Sequence, residues 1–383
     1  MVRELVITAY LFVFRVFFTF FKLFPQTNKT TFVVSFGNNA LYTMDALEKL
    51  TDQRIIILKT RKCCMMFEDA PHRRIMMFQF PYILDWIRSV YHLATSEKVF
   101  VDNYFGFLSV TRFRQNTKCI QLWHAAGAIK KFGLKDHQIK NRHAKACRRF
   151  ENVYKRFDFV IVGSEKMAAI FSEAFNVTTK QFLRTGIPRT DFFFDTAAKQ
   201  EIEQSLINQF PVINEKKVIL YAPTYRDNQL NAARIHLDIH KMYTELCREY
   251  VLFLSLHPKM NVNAETDYPG FVYDVSGLDN INHILIMTDI LISDYSSVPF
   301  EFSLMCKPMV FFAYDLEEYA HSKGFWENYA ELVPGPVVKN TDDLIDVLKN
   351  GDFHMEQIDT FANEWNQYST GKSSERLVQT LYH

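Results

Sequence analysis

Lys217-Val218-Ile219-Leu220-Tyr221-Ala222-Pro223 is an apolar run that stops at a proline. A short, continuously apolar segment ended by a residue that cannot donate to a ladder reads as a buried strand of a parallel sheet. The design recurs at Val251–Pro258, Asp289–Asp294 and Pro308–Phe312, with helix-like stretches at Ala233–Tyr250, Ile281–Thr288 and Val298–Met305 between them. Upstream the same alternation runs through Thr31–Phe36, the helix-like Ala40–Leu50, Arg54–Lys59, Lys98–Asp102, Lys118–Trp123, Phe157–Gly163 and the helical Glu165–Phe175. Strands alternating with helices predict an α/β chain with doubly wound parallel sheets. Because the pattern restarts at Lys217, two Rossmann-like halves facing a cleft are expected, with the polar stretch Asp195–Lys217 as the hinge. The divisions drawn are an N-terminal helix over 1–25, a first domain over 26–195 and a second over 196–383. Ser373–Tyr382 reads as a closing helix.

The length of 383 residues suits two such domains, and 48% hydrophobic with 23% charged residues reads as globular. A net charge of +1 leaves anion binding to local patches. The six cysteines form no C-x-x-C pair and show no zinc spacing, which favours a reducing compartment. Residues Leu5–Phe24, LVITAYLFVFRVFFTFFKLF, reach the length of a membrane span but carry Arg15 and Lys22. A helix lying in the membrane interface fits best, with a buried first helix and a true span as the competing readings. No small-residue cleavage site follows, so a signal peptide fits poorly.

In open α/β sheets ligands bind beyond the carboxyl ends of strands, so the residues just after each strand are the candidates. After Gln121-Leu122-Trp123 stand His124 and the small residues Ala125, Ala126 and Gly127. An imidazole there can approach a ligand and act as a base near neutral pH, although a lone histidine is also a common structural residue. Gly186 and Pro188 fix a turn that aims Arg189, suited to phosphate; the competing reading is a loop arginine paired with Asp191. Pro223, Thr224 and Arg226 follow one strand, and Ser255, His257 and Lys259 another. Ser296 and Ser297 precede a helix whose free N–H groups suit a phosphate, with Glu301 one turn in, placed for ribose hydroxyls. A serine cap with a first-turn Glu is the bland reading of the same residues. No D-x-D occurs, no G-x-G-x-x-G follows Gly37, and Thr370-Gly371-Lys372-Ser373 lacks the first glycine of a Walker loop. Neither a metal site nor a cofactor is implied.

The order of these segments resembles the CDP-glycerol glycerophosphotransferase family of teichoic acid enzymes. The carriers are QLWHAAGAIKKFG (121–133), VGSEKM (162–167), TGIPRTDFFF (185–194), LYAPTYRDN (220–228), LSLHPK (254–259), SDYSSVPFEF (293–302) and FFAYDLEEY (311–319), followed by GFWENY and ELVPGPVV. The resemblance implies a GT-B-like fold of two Rossmann-like domains with metal-independent chemistry. It makes His124 and His257 the catalytic pair, with Arg189, Pro223, Thr224, Ser296, Ser297 and Glu301 against CDP-glycerol. Ala125, Arg226 and Ser255 complete the expected substrate contacts. Polymerase members carry W-H-G-T-P where this chain has Trp123-His124-Ala125-Ala126-Gly127, and Asp in place of Glu301. The departure resembles the primase branch, which adds the first glycerol phosphate to an undecaprenyl-diphosphate-linked ManNAc-GlcNAc disaccharide.

Such an acceptor implies a peripheral protein at the cytoplasmic face of the cell membrane. The basic run Lys130–Arg156 suits an anionic membrane surface, with a solvated basic helix as its competing reading. No recognised nucleic-acid motif appears. The rival readings are a polymerase of the same family, a sugar transferase of the same fold, and a non-catalytic lipid-binding protein. With charge neutralised by Arg, His and Ser at strand ends, transfer is expected to survive EDTA; strict dependence on added magnesium or manganese contradicts that account.

Overall fold

The structure, a computed structural model, describes residues 2–226, 235–257, 260, 267–278 and 280–383. The chain divides into two compact units: Met1–His124, Phe132–Asp191 and Tyr368–His383 form one, and Ala125–Lys131 with Phe192–Gln367 form the other.

The first unit is built on β1 (Lys29–Val34), β2 (Arg54–Lys59), β3 (Arg73–Met77), β4 (Lys98–Val101), β5 (Lys118–Gln121), β6 (Phe159–Ile161) and β7 (Phe182–Leu183). These form one parallel sheet in the order β3-β2-β1-β4-β5-β6-β7. Every residue of β1 is buried, as a parallel strand covered on both faces requires. The second unit has β8 (Lys217–Ala222), β9 (Tyr250–Leu254), β10 (Val272–Asp274), β11 (Ile290–Ser293), β12 (Met309–Phe312) and β13 (Val337–Val338), parallel, in the order β10-β9-β8-β11-β12-β13. Both orders are of the doubly wound Rossmann type, with a topological switch point between β1 and β4 and another between β8 and β11.

β2 and the helices Glu165–Phe175 and Ser373–Tyr382 fall where the apolar pattern predicts them. Other elements differ. The polar stretch read as a hinge is largely a helix, Thr196–Gln209, whose N-terminus Asp195 caps by accepting the N–H of Ala198. Only Leu206 of that helix is buried, which is why its pattern read as a linker. The expected helix from Ala233 is described only as Ile239–Leu246, and Ala233 lies outside the described residues. β3, β7, β10, β13 and the helix Ile83–Thr95 were not anticipated: β7 and β13 are two residues long, β10 is three, and β3, Arg-Arg-Ile-Met-Met, is an edge strand that buries only Met76. The closing helix Ser373–Tyr382 packs in the first unit, where Tyr382 Oη lies 2.5 Å from Thr30 Oγ1.

The first helix, Val2–Phe21, resolves the readings of the apolar N-terminus into two faces. Leu11, Phe14 and Phe18, spaced along one stripe, are buried. Phe14 is fully buried, its ring 6.4 Å from Phe78, 5.9 Å from Trp86 and 5.1 Å from Phe107. Glu4 accepts two hydrogen bonds from Arg149, at 3.1 and 3.2 Å, which fixes the helix start. The opposite face leaves Leu5, Phe12, Val16 and Phe20 exposed. Phe80 and Leu84, beside the helix start at Ile83, are exposed as well, and the Phe80 ring lies 6.3 Å from Tyr10. The helix therefore anchors in the core by the narrow stripe Leu11, Phe14 and Phe18, and most of its other residues are exposed. Phe14→Ala should cost about 3–5 kcal/mol in chemical denaturation, because it opens a cavity lined by aromatic rings; Phe12→Ala should change stability by less than about 1 kcal/mol.

Candidate active site

In the first unit the switch point is organised by Asp102, one residue beyond β4. Its buried carboxylate accepts the backbone N–H of Ser35 at 2.9 Å, Phe36 at 2.8 Å and Gly37 at 2.9 Å, the whole turn leaving β1. Burial pushes the Asp102 carboxyl above its ordinary pKa, and these N–H groups oppose the shift. Gly37 has φ 97°, and a Cβ there would stand 2.9 Å from Met65 Cγ, so the turn requires glycine.

His124, just past β5, places Nδ1 3.2 Å from the carbonyl oxygen of Asp102. A carbonyl only accepts, so Nδ1 carries the hydrogen and the lone pair of the neutral ring sits on Nε2, as a general base needs. The ring stacks on Phe36, centroids 4.1 Å apart and planes 8° from parallel. Its neighbour Trp123 was read as the end of a strand, but it has φ 55°, a left-handed conformation that costs about 1–3 kcal/mol in a bulky residue. Asn39 compensates: its Nδ2 donates to the carbonyls of Leu122 at 3.0 Å and Trp123 at 3.1 Å. The Oδ1 of Asn39 accepts the N–H of Arg189 at 3.1 Å, and Arg189 Nη1 donates to the His124 carbonyl at 3.0 Å. The structure thus brings His124 and Arg189 together. Gly186, at φ 86°, sets the turn before Arg189, while Asp191 accepts the N–H groups of Ser373 and Ser374 at 2.8 Å each.

The second unit repeats the device. Asp294, one residue beyond β11, accepts the N–H of Thr224 at 2.8 Å and pairs with Arg226. Arg226 is buried and bidentate to Asp315, Nε at 3.1 Å and Nη2 at 2.9 Å, and it also donates to the Thr224 carbonyl. The rings of Tyr295, Tyr314 and Tyr319 surround it at 5.1–5.3 Å. Burial works against its charge, but Asp315 and Asp294 outweigh that and raise its pKa; Asp315 is held below its ordinary value by the same contacts against its own burial. Arg226 was expected against substrate. Its guanidinium is instead engaged with two carboxylates, so it braces the turn that presents Pro223 and Thr224. Thr224 Oγ1 is buried and makes no hydrogen bond among the described residues.

Ser296 and Ser297 follow Asp294 and are half-buried. The helix they open, Val298–Phe302, has five residues and runs into the turn Ser303–Met305. So short a helix supplies free N–H groups rather than a long dipole. Tyr225, beside Thr224, stacks on His257 at 4.2 Å, which brings the exposed imidazole to the β8 turn, and Ser255 lies between β9 and His257. Asp227, Pro258 and Lys259 lie outside the described residues.

Glu301 was expected on ribose hydroxyls. It is buried, and its Oε1 accepts the N–H of Ala126 at 3.2 Å. The segment Ala125–Lys131 is a strap inside the second unit: Trp326 donates to the Ile129 carbonyl at 3.2 Å, and Lys131 donates to the Gly324 carbonyl at 3.0 Å. A Cβ on Gly127 would meet the Phe300 ring at 2.3 Å, so only glycine fits there. The chain first passes from one unit to the other at the His124–Ala125 peptide.

Sequence reading missed Asn39, Asp102 and Asp315 as site-building residues and saw Asp294 only as a strand end. A polar residue directly past a buried strand was the available signal at both Asp102 and Asp294. In the basic run, Arg149 is engaged with Glu4, while Lys145 and Arg148 on the same helix, Ala144–Tyr154, are exposed. Among the described residues, no group of three or more His, Cys, Asp or Glu side chains gathers as a metal site requires.

A family model described as CDP-Glycerol:Poly(glycerophosphate) glycerophosphotransferase matches residues 18–383. The chain is 38% identical over 353 residues to a teichoic acid glycerol-phosphate primase of Bacillus spizizenii, covering 92% of this chain and 91% of that protein. It is 35% identical over 382 residues to a teichoic acid glycerol-phosphate primase of Bacillus subtilis, covering 99% and 98%. Its fold matches that of the wall teichoic acid polymerase TagF with a TM-score of 0.81 at 22% identity, over 100% of this chain and 97% of that one. The architecture is accordingly GT-B-like.

Asp315→Asn should destabilise the protein by about 3–5 kcal/mol at neutral pH, because it leaves buried Arg226 short of a charge partner. Asp315 is depressed in the fold, so its contribution is present above its ordinary pKa of 3.8 and lost as pH falls through the lower folded value. The gap between wild type and variant, read from denaturation midpoints, should narrow along that descent.

Proposed function

The chain belongs to the CDP-glycerol:poly(glycerophosphate) glycerophosphotransferase family, and within it we propose that it acts as a teichoic acid glycerol-phosphate primase. It moves glycerol phosphate from CDP-glycerol to an undecaprenyl-diphosphate-linked disaccharide and releases CMP. The carrying observation is the identity to glycerol-phosphate primases along nearly the whole chain. Ala125-Ala126-Gly127 after His124 agrees with it, because the polymerase pattern there is Gly-Thr-Pro.

Phosphoryl transfer asks for positioning and charge stabilisation. His124 Nε2 takes the proton from the acceptor hydroxyl, and that oxygen attacks the β-phosphorus of CDP-glycerol. The bond to the bridging oxygen breaks, and CMP leaves with a proton from His257. Arg189 neutralises phosphate charge. Thr224 Oγ1, buried and with no partner among the described residues, hydrogen-bonds the donor together with Ser296 and Ser297. Pro223, Ala125 and Ser255 line the approach, and Glu301 acts through the strap it holds at Ala126.

The protein works peripherally on the cytoplasmic face of the cell membrane. The exposed stripe Leu5, Phe12, Val16 and Phe20, with Phe80 and Leu84 beside it, enters the interface, and Lys145 and Arg148 meet anionic headgroups. The buried stripe on the same helix argues against a lone span.

Incubation with excess CDP-glycerol and the lipid-linked disaccharide should give CMP and a product heavier by one glycerol phosphate. A ladder of additions would move the chain to the polymerases, and nucleoside diphosphate release would move it to sugar transfer. His124→Ala and His257→Ala should each lower turnover at least about 100-fold with folding intact; near-normal turnover in either removes that residue from the mechanism.

A further inference from the structure

Phe36 is a large apolar side chain left 44% exposed at the end of β1, the strand on one side of the first unit's switch point. An aromatic ring at a turn gains nothing from solvent, and here its face covers an imidazole. The two planes lie within 8° and the centroids 4.1 Å apart. One residue sets both rings. The Asp102 carboxylate accepts the Phe36 N–H at 2.8 Å, and the Asp102 carbonyl lies 3.2 Å from His124 Nδ1. The buried aspartate therefore fixes the Phe36 backbone from one end and the imidazole from the other.

We propose that Phe36 is a positioning residue of the transfer reaction, whose ring face holds the His124 imidazole in line with the acceptor hydroxyl and stabilises the imidazolium formed when Nε2 takes that proton. This rests on His124 being the base. An aromatic face carries negative charge density and attracts a cation, so the stack is stronger with the ring protonated than neutral. That difference lowers the barrier of the proton transfer without adding a charged group. Among the described residues, the charged or titratable groups bonded to the pair include the Asp102 carboxylate, spent on the 35–37 turn, the Arg189 guanidinium, on the His124 carbonyl, and the Cys63 thiol, 3.5 Å from the Phe36 carbonyl. All remain in a Phe36 variant, so a change in titration behaviour reports the ring.

The test compares Phe36→Leu, Phe36→Tyr and Phe36→Trp in the full chain, with turnover on CDP-glycerol and lipid-linked disaccharide measured across pH. Leucine keeps the apolar cover and removes the quadrupole. Phe36→Leu should lower kcat about 3- to 10-fold and leave the KM for CDP-glycerol within about twofold. The acid limb of its profile should move about half a pH unit lower, because the protonated imidazole loses stabilisation. Tyr and Trp should restore both. Hydrogen–deuterium exchange at the imidazole C2 of His124, read by mass spectrometry, should show the same displacement without reference to turnover, with His257 unchanged. A Phe36→Leu enzyme with wild-type kcat and acid limb, or aromatic variants that fail to restore them, overturns the proposal and leaves His124 as base. Normal turnover in His124→Asn overturns that base assignment, and the proposal with it.

Discussion

A buried aspartate accepting backbone N–H groups across a topological switch point is the contact on which each unit's candidate residues depend. Asp102 follows β4 and binds the turn after β1; Asp294 follows β11 and binds the turn after β8. In a doubly wound sheet the helices on either side of the switch point diverge to opposite faces, and the loops between them would be loose without a tie. A carboxylate is well suited because it accepts several N–H groups at once and each such bond is charge-assisted. The cost is burying a charge. In the first unit three backbone N–H groups offset it; in the second Arg226 does, itself shared with Asp315.

From those two anchors the functional groups hang in different ways. The carbonyl of Asp102 orients His124, and Asn39 ties the strained Trp123 to Arg189, so base and guanidinium share one hydrogen-bonded frame. In the second unit the anchor is electrostatic and aromatic: Arg226 sits among tyrosine rings and presents Pro223 and Thr224 without being presented itself. A guanidinium already committed to two carboxylates has few donors left for a phosphate. The strap Ala125–Lys131 adds a further constraint, since the Phe300 ring leaves no room for a Cβ on Gly127 and the Glu301 carboxylate holds the Ala126 N–H.

Much of this was legible in the sequence. Apolar runs placed most strands of both sheets because a parallel strand covered on both faces must be apolar throughout, and polar residues directly after them marked His124, Thr224, His257 and Ser296. Elements with weak periodicity were not legible: β3 at an edge, β7 with two residues, and the polar-faced helix Thr196–Gln209, which buries only Leu206. The N-terminal helix read as an interfacial helix with a buried helix or a span as alternatives, and only packing showed which of its apolar residues, Leu11, Phe14 and Phe18, are buried.

The sequence by itself determined the α/β class, the restart at Lys217 and the residues available at strand ends, because these follow from local hydrophobic pattern and turn chemistry. What each of those residues touches was decided by tertiary structure. Arg226 and Arg189 both follow a turn near a proline, yet one is buried between two carboxylates and the other donates to the His124 carbonyl. Asp102 and Asp294 look like ordinary strand ends until the neighbouring strand brings the opposing turn within hydrogen-bond reach. The return of Tyr368–His383 to the first unit is likewise a matter of long-range packing. Side-chain type is a property of the chain; the partner that satisfies a buried charge or N–H group is set by which distant segments the sheet order makes adjacent.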